Sequence, residues 1–413
     1  MLKIAARVDR ANYAIRDQDV ARKVKELKKE GRKTYELNIG DPGANLGEYG
    51  FRMPSHIKDE IIRLVGMGGQ YDGYANEQGE KETREAVADY SRKIGIRDAD
   101  AEKVVVGNGL SELLDYFFGC SVEKGRNVVL PRPDYPLYTA RVNWYEGEAR
   151  YYTMDPKDNW KPKVEEIEKS IDKNTVAVVL INPDNPTGAV FDEPELKAII
   201  DAVEDKGKGE VAIISDEIYH LLRFDGKTHV PTASLTDSVP VITLDGFSKG
   251  FYAPGWRIGH ALFSNFRDDS IFRAMVKVCS FRLSANNAVQ HAYAKGVRER
   301  EAHMEEYRTY LGWLKERAKF TSERLNSIDG ISCNPPRGAF YALPKVEKMR
   351  WKTDKEFIMQ LLGEEGVRVV PGSGFAMPPS EGYFRVVTLP SLEVQKQAYD
   401  HLEKFMQRHL KQK

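Results

Sequence analysis

Cysteine is nearly absent: 413 residues contain three, at Cys120, Cys279 and Cys333. They are odd in number, far apart and not spaced as ligand pairs. That argues against a disulfide framework and against a zinc site, and leaves buried free thiols in a reducing compartment. Net charge is missing as well, because Lys+Arg and Asp+Glu both total 62. A neutral chain is a poor match for nucleic acid or an anionic membrane as main partner. The basic run at 22–29 alternates with acid at helical spacing and reads as a solvated face. No apolar stretch is long enough for a membrane span or a signal peptide, so the expected location is the cytoplasm. Internal repeats, low-complexity segments and residues at metal-ligand spacing are lacking too, and no metal is expected.

What is present is an ordinary globular composition, 41% hydrophobic and 30% charged, at a length that favours two domains. Short β-branched runs at 104–106, 127–130, 176–181, 211–214 and 239–244 are bounded by turn residues and read as strands. Between two of them, Asp192-Glu-Pro194 opens a helix whose Leu196, Ile199, Ile200 and Val203 fall at i, i+3, i+4 and i+7. Strands alternating with helices predict an α/β fold with a mostly parallel central sheet flanked by helices, and ligands to such a sheet sit beyond its C-terminal strand ends. Near residue 300 the pattern changes. Met304, Tyr307, Leu311, Leu314, Ala318 and Leu325 mark a long helix. Strand-like pieces follow at 331–333, 339–343, 367–370 and 383–389, with a helix near 354–365 and another from about Leu392. The expected organisation is an N-terminal arm (1–50) packing on the small domain, a large domain (51–300) and a smaller α+β domain (301–413).

Three strings at strand ends carry reactive groups: Asn182-Pro-Asp-Asn185-Pro-Thr-Gly188, Asp216-Glu-Ile-Tyr219, and Ser248-Lys249 followed by Arg257. A lysine amine condenses with a carbonyl, and burial beside cations lowers its pKa from roughly 10.4 toward ~7–8. A planar guanidinium such as Arg257 binds phosphate bidentately, or else makes a structural salt bridge. A carboxylate such as Asp216 can hold a pyridine nitrogen protonated; the alternatives are a helix cap or a metal ligand. Tyr219 and Asn185 can reach a ring oxygen. Gly107-Asn-Gly109-Leu-Ser-Glu112 lies between a strand and a helix, where backbone N–H groups bind phosphate. Its sixth position is Glu112, not glycine, which disfavours a dinucleotide.

Taken together these strings resemble the fold-type-I pyridoxal-phosphate enzymes, specifically the class I/II aminotransferases, over nearly the whole chain. The resemblance implies that pyridoxal 5'-phosphate is the cofactor, bound through Lys249, with Asp216 at its pyridine nitrogen and Tyr219 and Asn185 at its ring hydroxyl. It implies that Arg257, Ser248 and the Gly109-Leu110-Ser111 turn line the cofactor site, the turn and Arg257 holding the phosphate. Tyr135 would stack on the ring. Arg385 would grip the substrate α-carboxylate beside Gly40. Tyr74 would reach the phosphate of a neighbouring subunit in a homodimer with shared sites. Gly246 departs from the pattern, because many relatives carry a phosphate-binding serine three residues before the lysine.

Within the family, strings such as Pro133-Asp-Tyr-Pro-Leu-Tyr138, Arg282-Leu-Ser-Ala-Asn286 and Arg337-Gly-Ala-Phe-Tyr341 are similar to those of alanine aminotransferases. The implied reaction is alanine plus 2-oxoglutarate giving pyruvate plus glutamate. Tyr13 and Arg16, in Tyr13-Ala-Ile-Arg16, are the candidates for the glutamate side-chain carboxylate, with Arg282 of a partner as rival. Transamination of aromatic, branched-chain or diaminopimelate substrates, or C–S lysis, remains the alternative on the same scaffold. A transcription regulator built on this fold is a remote one. Histidines 220, 260 and 291 read as structural.

Overall fold

The computed structural model describes residues 3–10, 17–43 and 53–411. Fifteen strands are numbered along it. β1 is Tyr35–Glu36; β2 to β5 are Val104–Gly107, Asn127–Arg132, Glu148–Asp155 and Lys161–Pro162; β6 to β9 are Thr175–Ile181, Ala212–Asp216, Val241–Gly246 and Gly259–Ser264. β10 to β15 are Ile331–Ser332, Tyr341–Ala342, Lys345–Val346, Val367–Arg368, Val370–Pro371 and Phe384–Val387.

β2 to β9 form one eight-stranded sheet in the order β2-β9-β8-β7-β6-β3-β4-β5. β8, β7, β6, β3 and β4 run parallel, while β9 and β5 pair antiparallel with their neighbours. The apolar runs are continuous because both faces of the sheet are covered. Strand alternation sends Val129, Val178, Leu180 and Ile213 to one face, where they meet Leu196, Ile199 and Val203 of the helix Glu193–Gly207. Val128, Leu130, Val179 and Ile214 face the other way, onto Leu113, Phe117 and Phe118 of the helix Leu110–Ser121. Asp192 caps Glu193–Gly207 in a reciprocal capping box with Glu195, as its sequence position anticipates.

A third apolar cluster gathers Val20, Val24, Leu27, Tyr35 and Leu37 with Phe357, Leu361, Val367, Phe384, Val386, Tyr399 and Phe405. The parallel β1–β13 pair ties the two chain segments together. The helix Met304–Asn326 bridges the cores, since Tyr307, Tyr310 and Leu314 enter the second cluster and Leu325 the third. Arg7–Arg10 lies elsewhere. Arg7 sits 5.4 Å from the Trp144 ring centroid and Arg10 pairs with Glu146 at 2.6 Å, so this first turn rests against the helix Pro136–Trp144. Among the described residues, no helix is long and apolar enough to cross a membrane.

The candidate functional site follows from the topology. β2, β3, β6, β7 and β8 all end on one edge of the sheet. The chain leaves that edge at Gly109, Tyr135, Asn185, Ile218 and Lys249.

Candidate functional site

A cavity of about 910 Å³ opens at that edge. Its lining includes Gly40, Leu110, Ser111, Tyr135, Asn185, Asp216, Tyr219, Ser248, Lys249, Arg257 and Arg385. Residues separated by up to 345 positions are thus brought to one space.

The Asn182–Gly188 string is held by its own side chains. Asn182 exchanges two 3.0 Å hydrogen bonds with the backbone of Phe191, and Thr187 donates from both N–H and O–H to the Asp184 carboxylate. This frame presents Asn185, whose Oδ1 accepts from Arg385 Nη1 at 2.9 Å. Arg385 Nη2 donates to the Asn38 carbonyl at 2.8 Å. The guanidinium is 2% exposed and lies between two rings, 4.6 Å from the Tyr341 centroid and 4.7 Å from that of Phe375. A cation so fixed presents a planar fork suited to a carboxylate.

Asp216 ends β7. Its Oδ2 accepts from the Tyr138 hydroxyl at 2.9 Å and its Oδ1 from the Ile218 N–H at 3.2 Å. Burial raises the carboxyl to about 6 against the pull of these two donors, and the nearby Asp245 and Glu217 add to the rise. Tyr219 is buried, with its hydroxyl 3.0 Å from that of Tyr341. Burial and the Tyr341 hydroxyl push its pKa well up, so it stays a phenol and a donor.

Lys249 lies one turn past β8. Its Nζ donates to the Gly40 carbonyl at 2.8 Å. Burial lowers the amine to about 8; Asp41 opposes this, and Arg385 and Arg257 reinforce it. A substantial share of the amine is therefore neutral near physiological pH.

Arg257 and the Gly109 turn stand side by side. Gly109 has φ +83°, and a Cβ there would fall 2.5 Å from Arg257 Nη2. The missing side chain lets the guanidinium approach the N-terminus of the helix Leu110–Ser121, so two sources of positive potential stand together at the cavity wall. Gly246 is also explained. A Cβ there would sit 2.6 Å from the Ile258 carbonyl oxygen and 2.8 Å from Gly259 Cα, so the close β8–β9 approach has no room for a serine. A phosphate bound here would have Arg257, Ser111 and the helix N–H groups as its donors.

This donor set fits pyridoxal phosphate: an amine for the aldehyde, a carboxylate for the ring nitrogen, a phenol and an amide for the ring hydroxyl, an aromatic for the ring face, and a guanidinium beside helix N–H groups for the phosphate. Tyr74 is not part of the lining and is 80% exposed. Tyr13 and Arg16 lie outside the described residues. Arg282 is engaged by Glu112, 3.1 Å away, and by the Val106 carbonyl, and does not line the cavity of its own chain. Tyr138, Tyr341 and Asn38 were not anticipated as partners of the site. Tyr138 had one available signal, its position one helical turn after Tyr135.

The family described as aminotransferase class I and II matches residues 37–402. The chain is 32% identical over 384 residues to glutamate-pyruvate aminotransferase AlaA of Haemophilus influenzae, covering 92% of each. It is 31% identical over 369 residues to an alanine aminotransferase of Mycobacterium tuberculosis, covering 88% of this chain and 83% of that one. Among solved structures, an alanine aminotransferase from Pyrococcus furiosus matches with a TM-score of 0.91 and 36% identity, over 98% of this chain and 100% of the other.

Proposed function

The chain belongs to the class I and II aminotransferases, a pyridoxal-phosphate-dependent family, and on that footing we propose that it exchanges an amino group between alanine and 2-oxoglutarate. The observation that carries the reading is the convergence of the Lys249 amine, the Asp216 carboxylate and the Arg385 fork on one cavity. The names of the relatives support the substrate pair.

Bound pyridoxal phosphate supplies a carbonyl for the incoming amine and an electron-withdrawing ring. The rest is work for this chain's residues. Lys249 holds the cofactor and, once released, carries the proton to and from the substrate α-carbon, a task suited to a pKa of about 8. Asp216 keeps a proton on the ring nitrogen. Tyr219 and Asn185 orient the ring through its hydroxyl, and Tyr135 covers one face. Arg257, Ser111 and the Gly109-Leu110 turn anchor the phosphate, with Ser248 beside them. Arg385 and the Gly40 backbone fix the substrate carboxylate.

Each amino donor assayed against pyruvate and 2-oxoglutarate tests the substrate reading. Alanine with 2-oxoglutarate should give the highest kcat/KM; preference for an aromatic, branched-chain or aspartate donor overturns it. Arg385→Lys should lower kcat/KM for alanine about 10- to 100-fold, because a point charge cannot replace two aligned, charge-assisted hydrogen bonds. Steady-state kinetics check this. Only the neutral amine attacks an aldehyde. Uptake of pyridoxal phosphate by cofactor-free protein should therefore rise about tenfold per pH unit below the Lys249 pKa of about 8 and level off above it. Stopped-flow absorbance at a series of pH values measures this.

The same reading includes a homodimer with shared sites. Exposed Tyr74, Phe281 and Leu283 support it: they sit on adjoining segments, which the Asn287 side chain and Ser284 tie together through Gln70, Gly73 and Ala75. A monomer mass in sedimentation would overturn it. The separate third cluster supports a smaller domain joined by residues 20–37 of the arm, whereas Tyr307, Tyr310 and Leu314, just past the expected boundary at 300, pack with the central sheet, and Arg7–Arg10 packs on the large domain. A reducing, cytoplasmic setting accords with the free thiols of Cys120, Cys279 and Cys333.

A further inference from the structure

Behind the cavity, on the opposite face of the same strand ends, lies a buried ionic cluster that the proposed chemistry does not use. Asp216 pairs with Leu244 across β7 and β8, so strand alternation turns the next residue, Asp245, to the other face. There Asp245 accepts from Arg300 Nη2 at 3.2 Å and from the Gly246 N–H at 2.7 Å. Arg300 is 7% exposed and stands 4.2 Å from the Tyr90 ring centroid, just ahead of the bridging helix Met304–Asn326. Its Nη1 donates to His220 Nε2 at 2.6 Å. Arginine only donates, so His220 carries its proton on Nδ1 and passes it toward the Glu217 carbonyl, 2.9 Å away. Burial and Arg300 hold the His220 pKa well below its ordinary value. His260, bonded to Tyr293 at 2.7 Å on the far side, is lowered by burial to about 4. Both histidines are therefore neutral near pH 7. Glu217 has a separate hydrogen-bond partner in His229, 2.8 Å away. Among the described residues of this cluster, Arg300 is the charge that balances Asp245.

We propose that Arg300 is a positioning residue for Asp216: by neutralising Asp245 across the strand, it leaves Asp216 free to stay ionised and to keep the proton on the ring nitrogen of the cofactor. This rests on the reading that Asp216 meets that nitrogen. The physical argument is like-charge repulsion. Two carboxylates on neighbouring strands, both buried, cannot both ionise cheaply unless one has a counter-ion. With Arg300 in place Asp245 is paired, and its push on Asp216 is a small addition to that of burial, opposed by the two donors to Asp216. Without it, the uncompensated Asp245 pushes the shared proton from the ring onto Asp216. Arg300 also ties the turn that carries Tyr219 to the turn that carries Lys249, through His220 and Asp245.

The test uses holoenzyme loaded with pyridoxal phosphate carrying nitrogen-15 in the ring, whose chemical shift reports ring protonation independently of turnover. The wild-type signal should lie at the protonated position near neutral pH. Arg300→Gln should move it toward the unprotonated position and lower kcat. The double variant Asp245→Asn/Arg300→Gln, which removes both charges, should return it. A wild-type-like signal in Arg300→Gln, or a double variant that behaves like the single one, overturns the proposal; the second is what a merely structural role gives. Should Arg300→Gln not fold, Asp245→Asn decides by equilibrium dialysis: the loss of cofactor affinity on the acid side should move to lower pH, and an unmoved limb overturns the proposal. A wild-type chain that takes up no cofactor removes the proposed function, and this inference with it.

Discussion

Lys249→Ala should abolish turnover, with kcat lower by on the order of 10⁴-fold or more, because one side chain supplies both the covalent anchor and the proton carrier. No other amine lines the cavity among the described residues. The remaining cations there, Arg257, Arg368 and Arg385, are guanidiniums that do not give up a proton in this pH range. The fold should survive. The Lys249 amine hydrogen-bonds the Gly40 carbonyl rather than a carboxylate, so its removal breaks no ion pair. Thermal unfolding close to wild type, together with loss of the chain–cofactor link that borohydride reduction makes permanent, would separate a chemical defect from a folding one. Retained turnover would remove Lys249 from the reaction.

Much of this site was legible because its groups sit where strands end, and strand ends are what a sequence announces best. Asp216, Asn185 and Lys249 each follow a β-branched run closed by turn residues, and each lines the cavity. The strands that escaped detection have weaker signals. β4, Glu-Ala-Arg-Tyr-Tyr-Thr-Met-Asp, is largely polar because it lies near the sheet edge and one face is partly solvated. β9 follows β8 after only two short helical turns, Phe247–Gly250 and Pro254–Trp256, and runs antiparallel, so it breaks the alternation that predicted the others. Beyond residue 330 the strands shrink to two-residue pieces such as β11 and β14, each paired with β15 beside the packed rings of Phe357, Phe384 and Phe405 rather than marked by a local pattern.

The supporting contacts were not legible at all. Tyr138 reaches Asp216 across 78 positions, Tyr341 reaches Tyr219 across 122, and Asn38 meets Arg385 across 347. No periodicity links such residues; only the finished packing does. The same holds for Gly246, which reads as a lost serine until the Ile258 carbonyl is seen against it.

Asp216→Asn should lower kcat by on the order of 10²–10³-fold while leaving the fold intact, the range for removing one preorganised electrostatic contact at a reacting centre. The replacement is close to isosteric. An amide oxygen can still accept from Tyr138 or from the Ile218 N–H, the two donors that now fix the carboxylate at 2.9 and 3.2 Å. What vanishes is charge. A neutral amide offers a pyridinium no counter-ion, so the ring gives up its proton and loses the electron-withdrawing power that stabilises a developing carbanion. The pH dependence carries the sharper signature. Burial raises the carboxyl to about 6 and the cationic ring nitrogen of bound cofactor pulls it back down, so wild-type activity should fall as the pH drops below this value. An asparagine has no such titration. The variant should be slow at every pH, with the Asp216 contribution to the acid limb gone. If its acid limb matches wild type, a group other than Asp216 titrates there.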